Sequence, residues 1–199
     1  MSVSINAITQ EAYTIPTDLD DSINVEKFAS RHAGKKIIVV QGLGFVGAVM
    51  SLVCANSLTE EYAVIGVDLA TENTYWKIKS INEGIFPLIA DDPKIAEFFD
   101  IAKEKGNLLA TYDPIAYKYA DVVIVDINLD VQKNSSNDAV LRDFDVDLNG
   151  FKSAIKSVGS HCQEDVLVLI ETTVPPGTCE QIVKPIIEDE LMKRGLSID

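Results

Sequence analysis

Lys36-Ile37-Ile38-Val39-Val40-Gln41-Gly42-Leu43-Gly44-Phe45-Val46-Gly47 is the stretch whose reading decides the fold. The segment 37–41, β-branched from Ile37 as far as Val40, reads as a strand buried on both faces. It stops at a Gly-x-Gly-x-x-Gly turn, and the apolar segment at 45–56 reads as a helix. Glycine triplets occur by chance, so the pattern gains meaning only from this strand–turn–helix setting. In that setting Gly42 permits the tight turn, Gly44 lets the backbone approach a pyrophosphate, and Gly47 allows close helix–strand packing. The helix N-terminus adds unpaired N–H groups and the positive end of a dipole. Gly42, Leu43, Gly44, Phe45, Val46 and Gly47 are therefore candidate dinucleotide-binding residues, and a glycine-rich packing turn without a ligand is the bland alternative.

The next apolar run, 63–68, ends in Asp68, 21 residues beyond Gly47. An acid about 20 residues after the turn accepts hydrogen bonds from the adenosine ribose. Its charge repels a 2′-phosphate, which favours NAD over NADP. As a lone residue, a strand-end aspartate that caps the next turn is equally ordinary. An S-adenosylmethionine site also uses a glycine-rich turn and a strand-end acid. The two features together thus leave a methyltransferase-like domain open.

Outward from these units, further strand candidates lie at 108–111, 122–126 and 166–171. Helical segments lie at 92–105, 147–158 and 178–194. Asp92-Pro93 supplies an N-cap and a first-turn proline, Gly106 and Gly195 supply stops, and Pro185 predicts a kink or a break. Strand–helix alternation specifies a doubly wound, Rossmann-type α/β fold with a parallel sheet. The polar stretch 130–145 reads as a surface loop at the carboxyl end of a strand, where such folds bind ligands. Residues 1–34 read as an acidic, weakly patterned extension with a short helix near 25–31, and residues 35–199 as the dinucleotide-binding domain.

Composition narrows the partners. The 199 residues include 17 Lys plus Arg against 31 Asp plus Glu, a net charge of −14. That sign opposes binding to nucleic acid or to an anionic membrane surface. The apolar run 37–55 is broken by Gln41 and three glycines, which suits a strand, a turn and a helix better than a membrane span. Cys54, Cys162 and Cys179 fit neither a disulfide framework nor a zinc site, which points to a reducing, cytoplasmic compartment. Cys54 reads as core, and Cys179 reads better as a helix-packing thiol than as a reactive one. His32 and His161 stand in no triad or metal spacing, and no metal site is expected.

The discriminating segment is Glu171-Thr172-Thr173-Val174-Pro175-Pro176-Gly177-Thr178. Together with the Gly42–Gly47 turn it resembles the N-terminal domain of the UDP-glucose/GDP-mannose dehydrogenases, the nucleotide-sugar 6-dehydrogenases. The same resemblance is carried by Asn82, Gly84 and Pro87, by Thr111-Tyr112-Asp113 and by Ala120-Asp121-Val122-Val123, in order over residues 36–194. It implies NAD-dependent oxidation of a UDP- or GDP-sugar C6 alcohol to a carboxylate, in polysaccharide biosynthesis, by a homodimer. It further implies a catalytic or positioning role for Thr173 near the nicotinamide, and a cofactor contact for Lys77. A strand-to-helix cap explains Thr173 as well, and a solvated helix lysine explains Lys77 equally.

Two departures qualify the resemblance. Where the family has Val-Pro-Thr-Pro after the fourth strand, this chain has Ile127-Asn128-Leu129-Asp130, which leaves Asn128 as the candidate contact. The family's Phe-Gly-Gly-x-Cys-x-x-Lys-Asp motif is not matched. The resemblance therefore implies a sheet truncated before its last strand and its central dimer helix, part of a longer protein, with little activity expected of these residues alone. A non-catalytic dinucleotide-binding module is the other class of function open to it.

Overall fold

The computed structural model describes residues 2–129, 131–135 and 141–198, with backbone alone for 131–135 and 141–145. In chain order the first half comprises β1 (Val3–Ile5), β2 (Ala12–Thr14), α1 (Ser22–Arg31), β3 (Lys36–Gln41), α2 (Phe45–Ala55), β4 (Tyr62–Val67) and α3 (Tyr75–Glu83). The second half comprises α4 (Pro93–Lys105), β5 (Leu108–Thr111), β6 (Val122–Val125), β7 (Val131–Ser135), β8 (Leu141–Val146), α5 (Asn149–His161), β9 (Leu167–Ile170) and α6 (Lys184–Lys193). A 3₁₀ turn at Pro114–Tyr119 precedes β6, and a π turn at Cys179–Val183 leads into α6.

Five strands form one parallel sheet in the order β5-β4-β3-β6-β9. The period of two along β3 sorts its side chains between two helical layers. Ile37 and Val39 pack with α1, the 3₁₀ turn, α5 and α6, while Ile38 and Val40 pack with α2, α3 and α4. Each fully buried Val, Leu or Ile contributes about 1.5–3 kcal/mol, so the two-sided burial of β3 and β4 dominates the core. This is the doubly wound α/β architecture, with the chain reversing direction across the sheet between β3 and β6. The outer strand β9 departs from two-sided burial: Leu167 and Leu169 are exposed along it.

The apolar run 37–55 resolves into β3, a turn and the 11-residue α2, and no helix among the described residues is long and apolar enough to cross a membrane. The capping signals act as read. The Asp92 side chain accepts the Lys94 N–H at 2.9 Å, Pro93 opens α4, and Gly106 closes it at φ +61°. Pro185 has no N–H to donate four residues back. The chain widens there into the π turn, and the Lys184 N–H reaches Cys179 O before α6 begins. Tyr75–Glu83 forms a helix anticipated only in the reading of Lys77 as a helix lysine, and it is stopped by Gly84 at φ +81°.

Two expectations are corrected. The presumed loop 130–145 contains an antiparallel ribbon, Val131–Ser135 paired with Leu141–Val146, and residues 130 and 136–140 lie outside the described residues. Valine, leucine and phenylalanine recur there among polar residues, which suits strands, yet the polar count dominates the reading. Residues before 35 are more ordered than a weakly patterned extension implies. Ser4 Oγ donates to Glu72 O at 2.8 Å and accepts the Trp76 N–H at 3.0 Å, and Asn6 Nδ2 donates to Ser80 Oγ at 2.9 Å. Tyr13 OH donates to Glu83 at 2.9 Å, and burial with that carboxylate pushes its pKa up to about 12. Val25, Phe28 and Ala29 of α1 enter the same core cluster as β3. Such anchoring is tertiary and polar, and leaves no periodic trace in a short segment.

One anchor reaches the rim of the sheet. Asp21 Oδ2 accepts the Thr111 hydroxyl at 2.6 Å, and its N–H donates to Asp113 Oδ2 at 2.8 Å. Asp21→Ala deprives the buried Thr111 hydroxyl of its acceptor. The variant is expected to lose about 1–2 kcal/mol of stability, which lowers the melting temperature by about 2–8 °C in a domain of this size; an unchanged thermal melt would show that this anchor contributes nothing.

Candidate cofactor site

The carboxyl end of β3 runs into the glycine turn at the point where β4 and β6 flank it. Asp126 N–H donates to Gln41 O at 2.8 Å, and Gly42 N–H donates to Val67 O at 2.8 Å. Gly42 sits at φ +99°, and a Cβ there would lie 2.1 Å from Asp126 O. A Cβ on Gly47 would lie 2.0 Å from Gly42 O, so this glycine is required by the turn's own carbonyl as well as by helix–strand packing. Gly44 differs from both. It caps α2 in extended conformation, and a Cβ built on it meets nothing within 4 Å. The backbone thus presents an open approach where the first-turn amides of α2 lack intrahelical acceptors.

Leu43 anchors the turn from beneath. Its side chain is fully buried and fills the space left by Gly66, where a Cβ would lie 2.5 Å from Leu43 Cδ2. Phe45 and Val46 are largely exposed, so their side chains take no part in anchoring the turn. Asp68 follows β4 directly. Its Oδ2 accepts the Leu43 N–H at 3.0 Å and its Oδ1 the Leu69 N–H at 2.8 Å, which fixes the carboxylate beside the turn. Burial raises its pKa above the ordinary aspartate value, opposed by those two amides and by Lys77.

The turn and the end of β4 border a cleft of about 500 Å³, within the range of small-molecule sites, whose lining does not include Leu43, Phe45, Val46 or Gly47. Gly42, Gly44, Asp68, Lys77 and Asn128 all line it, and Lys77 is the one cation on its lining among the described residues. Thr173 is exposed beyond the end of β9 and is not among the lining residues. The buried neighbour, Thr172, holds the local backbone instead. Its Oγ1 accepts the Ile127 N–H at 2.8 Å and donates to Val125 O at 3.3 Å, which ties the end of β9 to the Ile127-Asn128 segment.

Several lining residues were not singled out by sequence. Gly150, Ser153, Ala154 and Ser157 stand at i, i+3, i+4 and i+7 of α5 and give the cleft a smooth helical wall. Their small-residue spacing is visible in the sequence. Gln41, Tyr117 and Asp126 also line it, and Gln41 is a polar residue closing an apolar strand. The Asp126 pKa is raised above the ordinary aspartate value by burial and then by the charge of Glu171. Among the described residues no group of His, Cys, Asp and Glu is placed to hold a metal. The cysteines are free; Cys162 is buried, Cys54 is half-buried with its thiol pushed up to about 11, and Cys179 is exposed, where a packing role was expected.

Comparison with known proteins agrees with this geometry. Residues 35–199 match the model of the UDP-glucose/GDP-mannose dehydrogenase family, NAD binding domain. The chain belongs to that family. It is 31% identical over 157 residues to the GDP-mannose 6-dehydrogenase of Pseudomonas aeruginosa, covering 76% of this chain and 32% of that protein. It is 32% identical over 147 residues to the UDP-N-acetyl-D-mannosamine dehydrogenase of Pyrococcus horikoshii, covering 74% of this chain and 31% of that protein. The structure resembles that of an NDP-N-acetyl-D-galactosaminuronic acid dehydrogenase from Methanosarcina mazei, with a TM-score of 0.66, 28% identity, and coverage of 83% and 33% of the two chains. The chain therefore spans about a third of the length of these relatives. What it carries is the NAD-binding Rossmann domain of a family of NAD-dependent nucleotide-sugar dehydrogenases.

The three glycines separate fold from binding. Gly42→Ala forces a side chain against Asp126 O and is expected to destabilise the protein by at least about 1–3 kcal/mol. Gly44→Val, whose branch enters open space, is expected to leave the melting temperature within about 2 °C while weakening NAD binding at least tenfold. Thermal melts and fluorescence titration of the two variants check this pair of outcomes, and equal losses of stability in both would contradict it.

Proposed function

We propose that the chain is the hydride-accepting half of a nucleotide-sugar 6-dehydrogenase, which oxidises a UDP- or GDP-sugar C6 alcohol to the carboxylate. The observation that carries this reading is the coupling of an open Gly44 to a turn-locked Asp68. An anion is received by the backbone and a neighbouring diol by the carboxylate. When bound, NAD supplies the acceptor for hydride.

The residues divide the work by position. The amides from Gly44 to Gly47, with the dipole of α2, hold the diphosphate without a basic patch, as an acidic chain requires, while the Leu43 amide stays on Asp68. Asp68 accepts the adenosine ribose hydroxyls, and Lys77 balances charge at the same end. Asn128, at the end of the β6 segment, takes the contact that a threonine makes elsewhere in the family. Thr173 serves the nicotinamide end and the catalytic half, from an exposed position at the carboxyl edge of the sheet. Residues 35–199 form the cofactor-binding unit, and residues 1–34 brace its edge through Asp21.

The nucleophilic cysteine and the lysine of the reaction lie outside these residues in this reading, as do the sugar-binding domain and the homodimer helix. A reducing cytoplasm agrees with the free cysteines. Purified residues 1–199 are therefore expected to bind NAD and to produce no NADH from UDP-glucose or GDP-mannose. Steady turnover by this chain alone would refute that division of labour.

Asp68 gives two checks. Asp68→Arg replaces an acceptor with a cation and is expected to weaken NAD binding by about 10- to 100-fold; unchanged affinity would remove Asp68 from the ribose site. The pH dependence has opposite signs for fold and ligand. Because burial raises the folded-state pKa, the fold is favoured at low pH by Asp68 protonation, and that contribution is lost as pH rises from the unfolded value through the folded one. The carboxylate is the form that accepts the diol, so NAD affinity falls as pH drops through the raised pKa. Calorimetric titrations between pH 4 and 8, taken as a round working range, should show this fall in the native protein and a flatter profile in Asp68→Asn.

A further inference from the structure

Among the described residues three buried side-chain polar atoms lack a hydrogen-bond partner: Asn56 Oδ1, Asn107 Oδ1 and Tyr117 Oη. The two asparagines are anchored by their other ends. Asn56 Nδ2 donates to Leu52 O and Phe98 O, and Asn107 Nδ2 donates to Ala55 O and Tyr62 O. Neither asparagine borders the cofactor cleft. Tyr117 stands apart on both counts. Its only side-chain polar group is unpaired, and the side chain is part of the cleft wall.

Tyr117 is otherwise a core residue. It is 1% exposed, sits in the 3₁₀ turn Pro114–Tyr119 and packs in the cluster that holds Val39, Ile65, Val67 and Phe151. A phenylalanine would fill that volume with no buried oxygen to satisfy, and buried tyrosine hydroxyls ordinarily find a partner. The cleft neighbourhood says where the partner comes from. Tyr112 and Pro114, five and three residues before Tyr117, line the same cleft, with Asp68 and Leu69 after β4 and with the small-residue wall of α5. Burial, and after it the charge of Asp68, holds the Tyr117 pKa above the ordinary tyrosine value, so the hydroxyl keeps its proton and can donate or accept.

We propose that Tyr117 is a positioning residue for the cofactor, its hydroxyl hydrogen-bonding the adenosine half of the dinucleotide. The inference rests on the NAD site proposed above and adds to it a residue from a turn that carries no recognised motif. Its consequence is that adenosine recognition uses two side chains that follow neighbouring strands, Asp68 directly after β4 and Tyr117 in the turn after β5, so the glycine turn does not act alone.

The test is Tyr117→Phe, read by apo-protein melting and by fluorescence titration with NADH and with NMNH, the reduced mononucleotide that lacks adenosine. The inference predicts an apo melting temperature equal to or above that of the native protein, NADH binding weakened about 3- to 10-fold, and NMNH binding unaltered. Unchanged NADH affinity in the variant would overturn the inference while leaving the NAD site intact. A marked fall in apo stability would also overturn it, by showing that the hydroxyl already has a partner in the fold. Equal weakening for NADH and NMNH would overturn the adenosine assignment. Failure of the native chain to bind NADH would overturn both the inference and the site beneath it.

Discussion

The close passage of Gly42 over the Asp126 carbonyl is the constraint on which the site depends. Two parallel strands, β3 and β6, leave the sheet at the same point, and the turn must cross between them with no room for a Cβ. Only a residue without a side chain at positive φ allows that crossing. The crossing then delivers Leu43 into the core over Gly66 and turns its amide toward Asp68. A packing requirement and a binding requirement are met by one short stretch of backbone.

The division among the three glycines follows from this. Two are demanded by the fold, since a side chain at Gly42 or Gly47 would meet backbone oxygen at about 2 Å. The third is demanded by nothing inside the protein, and its freedom is where a ligand can approach. The spacing motif treats the three as equivalent, and their surroundings distinguish them.

The central sheet was readable because strands buried on both faces leave dense β-branched runs, and all five candidate runs became strands within a residue or so at each end. The position of Asp68 beside the turn was readable because it depends on a strand end, which the run marks. The helix Tyr75–Glu83 was not, because the buried Trp76 and Ile78 alternate with half-buried lysines and a polar residue, Ser80, is buried beside them in a short segment. The ribbon of Val131–Ser135 with Leu141–Val146 was hidden by its polar content, and the order in residues 2–34 by its reliance on single hydrogen bonds to distant residues such as Glu72, Ser80, Thr111 and Asp113. Thr172 and Tyr117 show the limit most clearly. The signature containing Thr172 drew attention to Thr173, one residue away, whereas burial assigns the structural clip to Thr172. Nothing in the composition of Pro114–Tyr119 marks a hydroxyl buried without a partner.

The account therefore rests on where a dinucleotide lies relative to one turn. A crystal structure of this chain grown with NAD is the most direct measurement. The account predicts the diphosphate against the backbone of Gly44–Val46, with a ribose diol on the Asp68 carboxylate. A dinucleotide bound elsewhere on the molecule, or seated in the cleft with Asp68 facing no ribose hydroxyl, would contradict it.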